Sequence, residues 1–237
     1  MEKNSEKKNS TKKVPEVKGT LRSHMIELPR AIRDASGIVI FGKRLKSFVF
    51  TTDVAVIRNT NADAVIAVYP FTPQPIITEA LVLAADVPVF CGVGGGITTG
   101  KRVTNLALDA EFKGAMGIVV NSPISNEVIR QVRETIDIPI IVTIVSEFED
   151  IEARIKAGAT ILNVSGAKRT AYIIKKIREK HPDFPIIATG GPNDSTIIAT
   201  IQAGANGITY TPPIVADILN EIMVKYRTKY ETEKEEE

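Results

Sequence analysis

Three stretches hold the residues best suited to chemistry. In ATGGPNDS at 188–195, Gly190 and Gly191 end an apolar run, and side chains that small let backbone N–H groups come close to an anion. Asn193 or Asp194 is a natural N-cap for a following helix, whose positive end would add to the attraction. The reading is a phosphate or similar anion site, with Thr211 at the end of the last apolar run as a further contact. The TPP at 211–213 supplies few donors, because proline has no N–H. In GVGGGITTGKR at 92–102, Gly94 and Gly95 lead a Gly-rich loop into Lys101 and Arg102. From Gly95 the string spells G-x-x-x-x-G-K, but Arg102 stands where a nucleotide P-loop needs its magnesium-binding hydroxyl, so that reading is rejected. What survives is a loop that grips an anionic substrate through Lys101 and Arg102, or simply a solvated basic pair.

The third stretch is SGAK at 165–168, where Lys168 is the one lysine close enough to an apolar run to serve as a Schiff-base group, or is simply a solvated loop lysine. Asp53 and Glu147 are the carboxylates at the ends of such runs and the candidates for general base or acid. Each has a plain alternative: Asp53 capping a short helix at 54–59, Glu147 complementing the helix that starts near Phe148. Asn121, Asn163, Ser165 and Thr209 are neutral groups suited to orienting a polar ligand. Cys91, inside an apolar run, reads as a small buried residue. The only imidazoles are His24 and His181, so a Ser-His-Asp device lacks its base unless His24 folds over the site. No metal or cofactor is expected, the one alternative being an oxygen-only magnesium site from Asp53, Asn121 and Glu147.

These residues need elements to place them. Eight Val/Ile-rich runs occur at 46–53, 64–71, 87–93, 115–121, 138–147, 160–165, 184–190 and 207–211. They are continuous rather than alternating in polarity, as strands buried on both faces are. Helical spacing fills the intervals at 76–85, 126–135, 171–180 and 195–203. The third, fifth and seventh runs are entered through DVPV, DIPI and DFPI; the even ones follow NADA, KGAM, AGAT and AGAN. Two alternating entry signals over eight strands imply a fourfold repeat of double units. A closed (β/α)8 barrel accommodates that arithmetic; an open doubly wound sheet has no obvious place to reverse strand order. The chemistry then gathers at the mouth where strands end. A short helix at 29–35, a strand at 38–41, a tight turn at 42–44 and a strand from 45 form an extension expected over the opposite mouth.

Segments 1–18, with six lysines, and 231–237, ETEKEEE, read as solvated tails around one barrel domain at 19–230. A net charge of +2 in 237 residues argues against nucleic acid as the main partner. One cysteine, no secretory signal and no long apolar stretch point to the cytoplasm and away from membranes. Pairing of barrels through surface helices makes a homodimer the expected partner state.

The strings PFTPQP, CGVGGG and TYTPP, within 48–75, 88–102 and 204–213, resemble a bacterial (β/α)8 family whose members carry the generic label "hydrolase". The resemblance spans about residues 14–227 and implies the barrel fold. More distantly, Gly190-Gly191 is similar to the phosphate-binding barrels of thiamine-phosphate synthase, the tryptophan-pathway isomerases and the N-acylmannosamine-phosphate epimerases; the TPP at 211–213 departs from that pattern. The expected function is proton-transfer chemistry (isomerase, epimerase or lyase) on a small phosphorylated or otherwise anionic metabolite. A hydrolase and a non-catalytic ligand-sensing barrel are the alternatives.

Overall fold

The computed structural model describes residues 15–17, 19–20, 25–191 and 193–235. A 3-10 turn (Arg30–Asp34) leads into a hairpin of β1 (Ile38–Ile40) and β2 (Lys43–Leu45). Phe41 and Gly42 at its tip hold φ of 45° and 80°, the pair of positive angles that a two-residue hairpin turn demands. The chain then alternates: β3 (Ser47–Phe50), α1 (Val54–Arg58), β4 (Ala64–Ala67), α2 (Pro75–Ala84), β5 (Val89–Gly94), α3 (Lys101–Phe112), β6 (Gly117–Val120) and α4 (Asn126–Thr135). The second half repeats the pattern: β7 (Ile140–Ile144), α5 (Ile151–Ala157), β8 (Ile161–Val164), α6 (Thr170–Lys180), β9 (Ile186–Thr189), α7 (Asp194–Gln202), β10 (Gly207–Tyr210) and α8 (Val215–Glu235). Strands β3 to β10 close into a parallel barrel in sequence order, with β10 bonded to β3. Every predicted strand is present, and the fold is the expected (β/α)8 barrel.

Continuous hydrophobicity has its cause in the two faces. Inward residues Phe48, Ile66, Phe90, Val119, Ile141, Ile161 and Ile187 fill the barrel floor. Their neighbours Val49, Val65, Ile118, Val142, Leu162 and Ile208 face the helices. Phe48 and Phe90 meet edge to face at 5.7 Å, and a Cβ on inward Gly117 or Gly207 would come within 2.8 Å of those rings, so both positions must be bare. The entry signals also have a structure. Pro88, Pro139 and Pro185 each accept a neighbouring strand's N–H at 2.8–3.0 Å while lacking a donor of their own. Gly114, Gly158 and Gly204 end helices α3, α5 and α7 with φ of 86°, 120° and 112°.

The extension does cover the N-terminal mouth: Ile38, Ile40 and Leu45 are buried against the barrel floor. Three details differ from expectation. The turn residues are Phe41 and Gly42, and the return strand ends at Leu45, separate from β3. The first helix is a 3-10 turn capped by Pro29 and packed against α7 on the barrel's flank. Helix α8 continues to Glu235, five residues into the segment read as a tail. Segment 1–14 and His24 lie outside the described residues.

Candidate functional site

Alternation carries the inward rows from the floor up to the C-terminal mouth, where the residue types change. Above Ile141 stands Thr143, above Ile161 Asn163, above Ile187 Thr189, and beside it on β10 Thr209; register pairs Thr143 with Asn163 and Thr189 with Thr209. Asn121 and Ser165 follow at the ends of β6 and β8. This layer is partly self-bonded: Thr143 Oγ1 lies 3.4 Å from Asn121 Oδ1, Asn163 Nδ2 lies 3.5 Å from Thr143 Oγ1, and Thr189 Oγ1 donates to Ser165 Oγ at 3.2 Å. Two buried atoms in it have no partner among the described residues, Asn163 Oδ1 and Thr209 Oγ1. A buried polar atom left unmatched costs ~1–3 kcal/mol, so such atoms call for a ligand or an ordered water.

The other half of the mouth is apolar and glycine-rich. A cavity of about 160 Å³ is lined by Val68, Tyr69, Phe71, Gly92, Ile97 and Asn121. Gly95 belongs to its architecture rather than to anion binding. Its N–H donates to the Thr98 carbonyl at 2.9 Å, and a Cβ there would fall 2.1 Å from the Asn121 carbonyl. Gly94, φ 131°, gives its carbonyl to the Asn121 N–H at 2.9 Å. Gly-rich loop and polar layer are thus coupled through Asn121. Phe71, Ile97 and Phe148 stand exposed around the rim.

Several expected site residues are already engaged. Asp53 caps α1, its Oδ1 accepting from Ala55 N at 2.8 Å and Val56 N at 3.2 Å. Glu147 forms an ion pair with Arg169, whose guanidinium lies 5.3 Å from the Tyr172 ring centre; Glu147 and Tyr172 both line an outer groove between α5 and α6. These two acids rise from β3 and β7, four strands apart around the ring. The oxygen set imagined for magnesium therefore does not converge, and the described residues hold no cluster of three or more His, Cys, Asp or Glu fit for a metal. Arg102 lies along the outside between α2 and α3 with Pro73, Pro75 and Asp109 rather than over the mouth. Lys101, the first residue of α3, is exposed.

Groups of the expected anion cradle also have partners within the protein. Gly190 N–H donates to the Thr209 carbonyl at 3.3 Å, so it serves the barrel. Asn193 Oδ1 caps Thr196 N at 3.0 Å, Thr196 Oγ1 lies 3.4 Å from Asn193 N, and Asp194 puts a carboxylate in the first turn of α7. The helix supplies its own negative end, which competes with a phosphate. A Cβ on Gly191 would sit 2.6 Å from Thr196 Oγ1, so close packing of this cap explains that glycine. Thr211 is exposed beyond β10.

Lys168 differs from the two carboxylate candidates. It occupies a 3-10 turn (Ala167–Arg169) directly after β8 and makes no hydrogen bond or ion pair with a described residue. The preceding Ala167 holds φ 51°, a left-handed conformation that costs an alanine ~1 kcal/mol and is commonest at working sites. Cys91 is buried, and desolvation pushes its thiol from 9.0 up to about 12, which leaves it neutral and unreactive. His181 sits at the end of α6, 3.5 Å from Glu152, on the flank away from the mouth. Sequence reasoning undervalued Thr143 and Thr189, although counting by twos from the inward isoleucines finds both.

The molecule is a (β/α)8 barrel with a polar-layered C-terminal mouth. No protein-family model matches the chain, and no curated protein matches it. Among solved structures it is similar to a phosphonopyruvate hydrolase in complex with oxalate and Mg++, at 13% identity and TM-score 0.61 over 84% of this chain and 87% of that one. It is similar to the phosphoenolpyruvate phosphomutase of Streptomyces platensis subsp. rosaceus, at 14% identity and TM-score 0.57 over 86% and 85%. It is also similar to the dihydrodipicolinate synthase of Aquifex aeolicus, at 18% identity and TM-score 0.56 over 70% and 69%. Likeness at such identities establishes the shared barrel; reaction and ligand need the chain's own residues. Among the described residues no helix is long and apolar enough to cross a membrane.

Proposed function

We propose that the protein is a barrel enzyme taking a small, anionic, hydroxyl-bearing metabolite at its C-terminal mouth. The observation that carries this reading is the pair of buried, unmatched oxygens, Asn163 Oδ1 and Thr209 Oγ1, on inward positions of β8 and β10. An amide oxygen can only accept, so its complement is a ligand O–H or N–H. Asn121, Thr143 and Thr189 would fix the rest of the ligand through neutral hydrogen bonds. Lys168 supplies the positive charge the anion requires and is the group for proton transfer, because Asp53 and Glu147 are consumed by a cap and an ion pair. Isomerisation or lyase chemistry needs only these parts; hydrolysis needs an activated water for which the mouth shows no free carboxylate among the described residues. The names of the similar structures, a hydrolase, a phosphomutase and a synthase, are compatible with small acids as ligands.

A second reading, a barrel that binds and does not catalyse, is favoured by the scarcity of unpaired ionisable groups in the mouth. Thermal-shift screening with inorganic phosphate, sugar phosphates and small hydroxy and keto acids tests both. A stabilising compound whose effect is lost in Asn163→Ala and weakened in Lys168→Met supports the site. Turnover of that compound abolished by Lys168→Met supports the enzyme, and binding without turnover supports the sensor. A compound that still binds Asn163→Ala but not Asn193→Ala would return the anion to the β9 loop and overturn the assignment.

A further inference from the structure

The inward rows of the barrel end differently on the two sides of the mouth. At the ends of β6 to β10 the last inward side chains are polar, as Asn121, Thr143, Asn163, Thr189 and Thr209 show. On β3 to β5 the same alternation ends in Phe50, in Val68 just past β4, and in Gly92. The cavity of about 160 Å³ lies on this second side. Much of its polar framework is spent within the protein. Tyr69 Oη accepts the Gln74 N–H at 2.9 Å, the Gly95 N–H goes to the Thr98 carbonyl, and the Gly94 carbonyl takes the Asn121 N–H. Among the described residues lining it, the remaining polar side chains are Thr72, Thr98 and Asn121, against Val68, Phe71, Ile97 and two prolines. A ligand hydroxylated all round would leave groups unmatched here, which disfavours it at every one of them.

Two of the cavity's glycines are explained by packing. A Cβ on Gly92 would lie 3.0 Å from Val68 Cγ2, and one on Gly94 would lie 2.8 Å from the Thr98 carbonyl oxygen. Gly96 is different. Its φ is outside the left-handed range, and a Cβ there would meet nothing within 4 Å. Neither packing nor backbone conformation asks for glycine at that place, and the space it leaves open is the cavity's. Ile97 and Phe71, which also line the cavity, are 100% and 74% exposed, large apolar side chains that an apolar occupant would cover.

The cavity meets the polar layer at Asn121, which lines the first and whose Oδ1 lies 3.4 Å from Thr143 Oγ1 in the second. We propose that the metabolite is amphipathic: a hydroxy acid whose polar end sits on Asn163, Thr209 and Lys168, and whose apolar arm fills the cavity beneath the glycine-rich loop. The volume sets the size of the arm, since a cavity of roughly 150 Å³ with apolar walls takes a benzene ring. The arm is therefore an aromatic ring or a branched chain of that bulk. This rests on the assignment of the polar layer made above and adds the other end of the ligand. Short polar acids and sugar phosphates, which that assignment admits, are then not the preferred ligands.

The test is calorimetric titration of the full chain with lactate, phenyllactate and glucose-6-phosphate, with thermal melts to confirm that each variant is folded. Burial of the ring should make phenyllactate bind about 30-fold tighter than lactate. Gly96→Leu, which puts a side chain into the open space of the cavity, should cut that ratio to about threefold or less, and Val68→Phe should do the same from the barrel side. Asn163→Ala should weaken both acids and keep the ratio. Equal affinity for lactate and phenyllactate, both dependent on Asn163, would overturn the amphipathic ligand and leave the polar site standing. A ratio that survives both filling variants would overturn the cavity as the seat of the arm, and tighter binding of glucose-6-phosphate than of phenyllactate would overturn the ligand class. Phenyllactate binding abolished by Gly96→Leu but indifferent to Asn163→Ala, or no binding of either acid, would overturn the polar site itself and the proposal with it.

Discussion

At the N-terminal end of the barrel, polar side chains are spent on the strand entries. Asp63 Oδ2 accepts the N–H groups of Lys46 and Ser47 at 2.7 and 3.0 Å, and Ser47 Oγ accepts Asp63 N–H at 2.9 Å. Glu111 Oε1 takes Asp137 and Ile138, Thr160 Oγ1 takes Ile140, and Asn206 Oδ1 takes Ile186, all within 2.8–3.2 Å. Arg178 donates to the carbonyls of Gly204, His181, Pro182 and Phe184 and to Asn206 Oδ1, and burial lowers its pKa. The C-terminal end, on the same eight strands, leaves Asn163 Oδ1 and Thr209 Oγ1 unmatched, strains Ala167 and exposes Ile97 fully. One end is built to hold, and the other carries the polar groups that the proposed function assigns to a ligand. On that reading stability and function are separated along the barrel axis.

Substitutions at the two ends should sharpen that contrast or break it. The largest effect is expected for Arg178→Ala, which strands several carbonyls at once. A loss of about 3 kcal/mol in urea unfolding is expected, with ligand binding by the folded fraction unchanged. Thr209→Val removes a hydroxyl that has no partner and keeps its shape. It should raise stability by about 1 kcal/mol while weakening the ligand. A loss of stability in that variant would mean the hydroxyl is bonded in the free protein, and the contrast would fail. The smallest effect is expected at Asp53, which lies at the mouth yet serves the frame. Asp53→Ala should cost ~1 kcal/mol through the lost cap and Asp53→Asn almost nothing, with turnover intact in both. Abolished turnover in the asparagine variant would place a working acid where the structure shows a structural one.

The strands were legible because a parallel barrel buries both faces of each, and runs such as IPIIVTIV leave no other reading. The alternating entries were legible too, since each proline and each glycine answers a local backbone need. The working layer was half legible. Asn163 and Thr209 follow from parity, but whether a polar atom is free depends on neighbours distant in the chain. Asp53 beside VAVI and Asn193 before DST look equally like ligands and caps, and Glu147 meets Arg169 across 22 residues of sequence. Arg102 follows a glycine loop and yet lies outside, because the first turn of α3 rotates it toward Pro75.

The occupation of the barrel's flank by Leu28 and Ile32 bears on how the chain is made. Those residues precede every barrel strand in the chain, but the turn that carries Ile32 is seated on α7, which is made only after the seventh of the eight strands. The turn cannot take its seat until α7 exists, so the seam of the ring is completed late, by elements far apart in the chain.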